Sequence, residues 1–268
     1  MVDLALEGLG HDYGHEVRAL EGVELRITSG ERVALVGQNG SGKTTLVRHL
    51  NGLLRPSAGR VLVDGVDAAT MTVAQLARRV GLVFQDPDRQ IFAASVRSEV
   101  EFGPSNLGLR GEPLRQAVDA ALEAVGLNSD ARTNPYDLGS ARRKLLALAS
   151  VLAMQTPVLV LDEPTTGQAL RGVERVRSVL EAAGSAGRTV IAISHDMSFV
   201  AEAFARVIVM HAGRVVLDGE PAVVFAASSW ETLRATYLEP PLAAVVGERL
   251  GLGSTPTDEA LIYAISSS

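Results

Sequence analysis

The segment Gly37-Gln38-Asn39-Gly40-Ser41-Gly42-Lys43-Thr44 lies between an apolar run that ends at Val36 and a helical pattern that begins at Leu46. Glycines in such a segment let consecutive backbone N–H groups turn inward, and the start of the following helix adds a positive partial charge. A lysine and a hydroxyl residue at its end are suited to contact phosphates and a divalent cation. The order strand, glycine-rich loop, helix therefore predicts a phosphate-binding loop in an α/β fold.

Two side chains of this loop have the chemistry to act on a nucleotide. Lys43 is predicted to reach the β- and γ-phosphates of ATP, and the Thr44 hydroxyl is predicted to ligate Mg²⁺. The loop backbone and the helix N-terminus would surround the phosphates. The residues predicted to contact ATP are therefore Gly37, Asn39, Gly40, Ser41, Gly42, Lys43, Thr44 and Thr45.

Polar residues also follow two other apolar runs. Asp162 and Glu163 come directly after residues 158–161, and His195 follows residues 190–194. Because the carboxyl ends of parallel strands meet at one edge of an open sheet, we expect these side chains beside the phosphate-binding loop. Asp162 would hold Mg²⁺ through its water shell, and Glu163 would orient or polarise the attacking water. Standing alone, an apolar strand that ends in acidic residues is also compatible with a simple turn.

The periodicity of the sequence changes along the chain. Residues 4–36 alternate apolar and polar residues, which predicts antiparallel strands that lead into a buried strand. Residues 86–156 contain long helical patterns and no convincing strand, which predicts a helical subdomain inserted into the α/β core. From residue 158 onward strands alternate with helices, which predicts βαβ units in a mostly parallel sheet.

Local signals suggest the boundaries of these segments. A composition shift near Pro221 separates an expected ATP-binding domain, residues 1–220, from an expected helical appendage, residues 221–268, with three short helices. Two pairs match the capping-box pattern of a helix start, Thr72 with Gln75 and Thr255 with Asp258. Predicted strands cover residues 61–63, 80–84, 158–161, 189–193, 206–210 and 215–217. Predicted helices cover residues 46–53, 112–125, 140–154 and 172–183.

Composition and charge exclude several classes of function. The chain has 268 residues, of which 47% are hydrophobic and 21% charged, as in a folded globular protein. A net charge of −6 without a basic face predicts no nucleic-acid partner, and the lack of cysteine excludes disulfides and thiolate metal sites. The longest apolar stretch, residues 145–154, is about half of the roughly 20 residues that span a bilayer, and the N-terminus lacks a signal-peptide pattern. We therefore expect a soluble, cytoplasmic protein that docks on a membrane protein.

Over residues 4–219 these motifs resemble the ABC ATPase family. The resemblance implies ATP hydrolysis with Glu163 as general base and His195 on the γ-phosphate side. Gln85 matches the family's glutamine that senses the γ-phosphate and Mg²⁺, and Tyr13 matches the aromatic residue that stacks on adenine, although packing alone also explains one aromatic residue in a strand. The implied catalytic residues are Glu163, His195 and Gln85, and the implied Mg²⁺ residues are Thr44, Gln85 and Asp162.

Further segments narrow the resemblance. Residues 84–92 read Phe-Gln-Asp-Pro-Asp-Arg-Gln-Ile-Phe, and with residues 100–104, 106–109 and 162–168 they are similar to the ATPase subunits of energy-coupling factor transporters, the cobalt and vitamin importers. This resemblance implies a peripheral ATPase at the cytoplasmic face of the membrane. It would drive a transmembrane coupling protein, while a separate membrane subunit binds the micronutrient.

Two departures from the family pattern concern the partner. The signature Leu-Ser-Gly-Gly-Gln falls on residues 138–142, which read Leu-Gly-Ser-Ala-Arg, and Ala169 replaces the aspartate that usually follows the catalytic glutamate. Both elements act across the dimer interface in the family, which implies a heterodimer with a second ABC ATPase. A homodimer that tolerates the changes is the alternative. Two other functions stay open: a regulatory subunit that hydrolyses little, and a non-transport ABC protein of DNA repair or translation.

Overall fold

Two β-sheets organise the chain. The structure, a computed structural model, describes residues 2–14 and 18–267. The strands are β1 (Leu4–Asp12), β2 (Arg18–Ile27), β3 (Arg32–Val36), β4 (Ala58–Val63), β5 (Val66–Asp67), β6 (Val80–Val83), β7 (Val158–Asp162), β8 (Thr189–Ile193), β9 (Arg206–His211) and β10 (Arg214–Gly219). The predicted strands are all present.

The smaller sheet is antiparallel and has the strand order β2-β1-β4-β5. Leu20, Val23, Leu25 and Ile27 of β2 are buried between more exposed neighbours, as expected for a sheet with one face on the core. The alternation over residues 4–36 therefore correctly predicted β1 and β2 as antiparallel strands, whereas β4 and β5 of this sheet lie outside that range.

The larger sheet has the strand order β10-β9-β3-β8-β7-β6. Strands β9, β3, β8, β7 and β6 are parallel, and β10 is antiparallel to β9. All side chains of β7 and β8 are buried, because helices and the smaller sheet cover both faces. The order places the carboxyl ends of β3, β8 and β7 side by side.

Helices connect these strands and form the remainder of the fold. They are α1 (Lys43–Leu50), α2 (Val73–Ala77), α3 (Val96–Asn106), α4 (Gly111–Val125), α5 (Ser140–Leu152), α6 (Leu170–Ser185), α7 (Met197–Ala203), α8 (Pro221–Val224), α9 (Trp230–Ala235), α10 (Leu242–Arg249) and α11 (Asp258–Ser267). Between β6 and β7 the described residues contain α3, α4, α5 and short 3₁₀ turns but no strand, as predicted. No helix of the described ranges 2–14 and 18–267 is long and apolar enough to cross a membrane.

Two predicted boundaries differ from the structure at α1. The helix begins at Lys43, three residues before the predicted start, because Gly42 adopts a left-handed conformation (φ 104°) and caps the helix directly after the loop. It ends at Leu50, where Asn51 and Gly52 turn the chain, well before Pro56. Lys43 and Thr44 therefore belong to the first helical turn, where backbone N–H groups lack helical partners.

The C-terminal segment contains α8 to α11, four helices where three were predicted. The predicted capping box of Thr255 with Asp258 is wrong. Thr255 is buried and donates its hydroxyl to the carbonyl of Ala243 at 2.8 Å, while Thr257 accepts from the Ala260 amide at 3.1 Å at the start of α11. The other predicted capping box, Thr72 with Gln75, is confirmed. The backbone N–H of Gln75 donates to Thr72 Oγ1 at 3.2 Å, and the backbone N–H of Thr72 donates to Gln75 Oε1 at 2.8 Å.

Candidate active site

Three neighbouring strands deliver the predicted site residues to one edge of the larger sheet. The phosphate-binding loop follows β3, Asp162 ends β7 and Glu163 follows it, and His195 lies two residues after β8. Together they form a cleft of about 290 Å³. It is lined by Tyr13, Arg18, Ala19, Asn39, Gly40, Gly42, Lys43, Thr44, Thr45, Gln85, Asp162, Glu163, Ile193 and His195.

Two glycines of the loop are required by close approach of the chain. At Gly37 (φ 150°) a Cβ would overlap the carbonyl oxygen of Met210, and at Gly42 (φ 104°) it would lie 2.6 Å from the carbonyl oxygen of Ala19. Within the described part of the chain, the backbone N–H groups of Gly40, Gly42 and Lys43 have no hydrogen-bond partner. These unpaired donors beside the cleft fit a phosphate group.

Lys43 is buried with its amine turned toward the loop. Its Nζ donates to the carbonyl oxygens of Gly37 at 2.6 Å and Gln38 at 3.0 Å. Burial lowers the pKa of this amine, and the carboxylates of Glu163 and Asp162 partly oppose that effect. The cation therefore lies within the phosphate cradle and is held only by neutral carbonyl groups.

Thr44 and Asp162 place two oxygen ligands together. The Thr44 hydroxyl donates to Asp162 Oδ2 at 3.0 Å. Burial raises the pKa of the Asp162 carboxyl, and the hydrogen bond from Thr44 acts in the opposite direction. A hydroxyl and a carboxylate are hard ligands that fit Mg²⁺, which usually completes its shell with phosphate oxygens and water. The residues present therefore fit the ion.

Glu163 adopts a left-handed backbone conformation (φ 53°), which costs a side-chain-bearing residue roughly 1–2 kcal/mol. Its amide donates to the Ile193 carbonyl of β8 at 3.0 Å, which fixes the turn. Oε2 accepts the Thr166 hydroxyl at 3.1 Å. Oε1 lies 3.0 Å from His195 Nε2, but the two are not aligned as a hydrogen bond, so Oε1 is buried without a hydrogen-bond partner.

This environment suits Glu163 to accept a proton. Burial raises the pKa of the Glu163 carboxyl, while His195 and the Thr166 hydroxyl lower it. His195 is about half exposed at the mouth of the cleft, with 43% of its side chain accessible. A buried carboxylate with one free oxygen facing a cleft is a candidate general base.

Tyr13 and Gln85 also line the cleft. Gln85 is exposed after β6, and Tyr13 is half exposed, with its hydroxyl 3.1 Å from Thr45 Oγ1. The ring of Tyr13 packs edge to face against His11, with centroids 4.5 Å apart. Tyr13 is thus both a wall of the cleft and part of the local packing.

Sequence reasoning missed a buried histidine pair below the loop. His49 Nδ1 donates to the Thr45 carbonyl at 2.7 Å, and His49 Nε2 lies 3.1 Å from His11 Nδ1. Both side chains are buried. A signal was available, because His49 lies four residues after Thr45 on the inner face of α1.

The degraded signature segment is not part of this cleft. Gly139 caps α5 without a side-chain hydrogen bond, and Ser140 and Ala141 begin the helix. Arg142 forms an ion pair with Asp130 on the surface of the helical subdomain. Neither these residues nor Ala169 line the cleft.

Known proteins with similar sequences are ABC transporter components. Residues 20–166 match the family described as ABC transporter. A putative ABC transporter ATP-binding protein of Methanosarcina acetivorans is 45% identical over 87% of this chain, which spans only 38% of that relative. The energy-coupling factor transporter ATP-binding protein EcfA of Methanothermobacter thermautotrophicus is 36% identical over 95% of this chain and 82% of its own length.

Solved structures give the same result. The structure of cbiO1 from Clostridium perfringens, described as part of the ABC transporter complex cbiONQ, has a TM-score of 0.75 and 37% identity over 87% of this chain and 94% of its own. A dimeric ATP-binding cassette in a post-hydrolysis state with ADP and Pi has a TM-score of 0.74 and 25% identity over 81% of this chain and 98% of its own. With the family match covering more than half of its length, this chain belongs to the ABC transporter family of ATPases.

Proposed function

We propose that this chain is the ATP-hydrolysing subunit of an energy-coupling factor type ABC importer that takes up a micronutrient, either a vitamin or a transition-metal ion. The convergence of Lys43, the Thr44–Asp162 pair and Glu163 in one cleft carries the proposal. Similarity to EcfA over 82% of that protein supports the transporter type. The relatives are named as transporter ATP-binding proteins, which favours neither a regulatory subunit nor a non-transport ABC protein.

Phosphate binding would use the amine of Lys43 and the backbone N–H groups of the loop. Lys43 would exchange the carbonyl oxygens of Gly37 and Gln38 for β- and γ-phosphate oxygens, a gain because the new acceptors carry the opposite charge. The unpaired loop N–H groups would complete the cradle. Thr44, Asp162 and Gln85 would hold Mg²⁺, which supplies neutralisation of the phosphate charge when bound.

Hydrolysis would depend on Glu163 and His195. A water beside the free Oε1 of Glu163 would give its proton to that carboxylate as its oxygen forms a bond to the γ-phosphorus and the bond to the bridging oxygen breaks. His195, 3.0 Å from the same oxygen, would face the γ-phosphate. Tyr13, at the outer wall of the cleft, would stack on adenine.

A membrane partner would bind a groove lined in part by the segment that follows Gln85. An apolar groove of about 330 Å³ lies between α2, α3 and α5. Phe92 and Phe102 line this groove and are 59% and 50% exposed. Their ring centroids lie 4.7 Å apart. Exposed aromatic surface of this kind marks an interaction site, and we assign it to the transmembrane coupling protein. A separate membrane subunit would bind the micronutrient, and this chain would act at the cytoplasmic face of the membrane.

We propose a second ABC ATPase with an intact signature as the dimer partner. Ser140 and Ala141 add side-chain atoms where two glycines normally let the α5 N-terminus approach the opposite ATP, and the ion pair with Asp130 engages Arg142. The partner would then complete the site built on Lys43, while this chain completes a weaker one. We further propose an ATP-binding domain over residues 1–220 and a dimer-contact appendage over residues 221–268, where Tyr237, Leu242 and Leu250 are exposed.

Substitution of the general base tests this function. Glu163→Gln keeps the shape and removes the base, so we expect MgATP binding to persist while phosphate release falls at least about 100-fold at this site. The measurement is steady-state ATPase activity and nucleotide affinity of the purified transporter complex, with the exposed Glu181→Gln as the matched control. Unchanged turnover would exclude Glu163 as the base.

The same complex tests asymmetry. The general base is removed from each ATPase in turn, and a much larger loss from Glu163→Gln supports the heterodimer with unequal sites. Equal losses would contradict it.

A deletion of the residues after Gly219 tests the appendage, and the measurement is the oligomeric mass in solution. An unchanged mass would assign the apolar faces of the appendage to this chain's own core.

A further inference from the structure

We propose that Thr166 is a positioning residue for Glu163, and that Lys144 of α5 holds the loop that carries Thr166. The orientation of the general base would therefore depend on where α5 lies. This inference rests on the proposed role of Glu163 in hydrolysis. It concerns the loop of residues 163–169, which connects β7 to α6.

The Glu163 carboxylate has one directional anchor. Only 4% of the residue is exposed, Oε1 has no hydrogen-bond partner, and Oε2 accepts the Thr166 hydroxyl at 3.1 Å. A carboxylate held by one hydrogen bond can rotate about its terminal torsion when that bond is lost, because this torsion is broad. The Thr166 hydroxyl therefore decides which oxygen faces the cleft.

The loop is in turn fastened to α5 by two hydrogen bonds. Lys144 Nζ donates to the carbonyl oxygen of Thr166 at 2.7 Å, and Gln168 Nε2 donates to the carbonyl oxygen of Ala141 at 2.9 Å. The donor of the first bond is on the helix, and the donor of the second is on the loop. Because Ala141 and Lys144 both lie near the start of α5, we expect the loop and the start of this helix to move together.

Packing leaves the loop little freedom to move independently of α5. Gly172 of α6 lies against the side chain of Gln168, whose Oε1 would be only 2.3 Å from a Cβ at this position. Lys144, Leu145 and Glu163 line one small cavity of only about 10 Å³. A displacement of α5 would therefore be transmitted to Thr166, and through its hydroxyl to Glu163.

Removal of the Thr166 hydroxyl tests the proposal. In the purified transporter complex we expect Thr166→Val to lower kcat about tenfold at saturating MgATP, the order expected for losing a hydrogen bond to a charged group, with KM changed less than about twofold. Thr166→Ser keeps the hydroxyl and should retain wild-type kcat within about twofold. Lys144→Met should lower kcat about threefold to tenfold, again with KM retained. The control is Thr165→Val, since the Thr165 hydroxyl makes none of the side-chain hydrogen bonds found in residues 2–14 and 18–267.

A double variant separates positioning from a general loss of structure. If Thr166 acts through Glu163, Thr166→Val should add less than about twofold to the loss caused by Glu163→Gln. An additive loss, or a Thr166→Ser variant as impaired as Thr166→Val, would overturn the proposal. If Thr166→Val does not assemble, Thr166→Ala and Lys144→Met give the same comparison. Wild-type kcat in Thr166→Val with a large loss in Glu163→Gln refutes this inference alone, whereas wild-type kcat in Glu163→Gln refutes the proposed function.

Discussion

Acid should destabilise this protein through one buried imidazole. His49 lies on α1 directly below the phosphate-binding loop and is 2% exposed. Because the Thr45 carbonyl can only accept, His49 Nδ1 carries a proton, and the neutral ring presents Nε2 as an acceptor to His11 Nδ1. Burial is the main cause that lowers the pKa of His49 below its ordinary value of 6.5, and the neighbouring His11 adds to the effect.

The sign and size follow from proton linkage. The folded chain favours the neutral form of His49, while in the unfolded chain this ring binds a proton below about pH 6.5. Stability is therefore retained above that pH and lost as the pH falls. One unit below the unfolded pKa, the loss from this one group is at most RT ln 11, about 1.4 kcal/mol, against less than about 0.1 kcal/mol one unit above it. At this chain length that upper limit corresponds to a fall in Tm of about 3–6 °C.

The assay compares unfolding of the nucleotide-free chain at about pH 7.5 and pH 5.5, by urea titration or thermal scan, in wild type and His49→Gln. The variant loses its hydrogen bond to Thr45 at both pH values, so the readout is the difference between them. We expect that difference to be smaller in the variant than in wild type, by up to about 1.4 kcal/mol. His211→Gln tests whether removing any imidazole has the same effect. An equal acid-dependent loss in His49→Gln and wild type would refute the reasoning.

Three further predictions concern single contacts. Lys43→Met should weaken MgATP binding about 10- to 100-fold, since hydrogen bonds from a charged donor are lost, and isothermal titration of the folded variant measures it. Gly37→Ala should abolish nucleotide binding and lower the Tm, because its Cβ would overlap the Met210 carbonyl; a normal melt with normal affinity would contradict this. Thr255→Val should lower the free energy of unfolding by about 1 kcal/mol by removing the buried hydrogen bond from its hydroxyl to the Ala243 carbonyl, and an unchanged urea midpoint would contradict it.

Much of the larger sheet was predictable because its strands are buried on both faces. Runs such as residues 158–161 and 190–193 are apolar at every position, and at that length a buried strand is favoured over a helix. The order of the strands follows from parallel βαβ connections only in part. The insertion of β3 between β8 and β9 is a long-range pairing that no local pattern encodes.

The loop side chains of the candidate site were predictable for a different reason. A phosphate cradle demands glycine at positions of close approach, and Gly37 and Gly42 are at such positions. The roles assigned to Glu163 and His195 stay predictions. Their proximity was expected because each of them follows a strand of the predicted parallel sheet. The capping box at Thr255 failed because Thr257, two residues later, caps the helix, and only the packing of α10 against α11 decides between them.

The contacts inside the cleft depend on how its buried charges balance one another. Sequence patterns do not show this balance. Two buried carboxylates, Asp162 and Glu163, adjoin the buried cation Lys43, and burial acts against the charged form of each of the three. Adding phosphates alone would increase the negative charge beside those carboxylates. The Thr44–Asp162 hydrogen bond occupies the place where the proposed Mg²⁺ would restore the balance. We therefore expect Asp162 to favour binding of a nucleotide together with its cation.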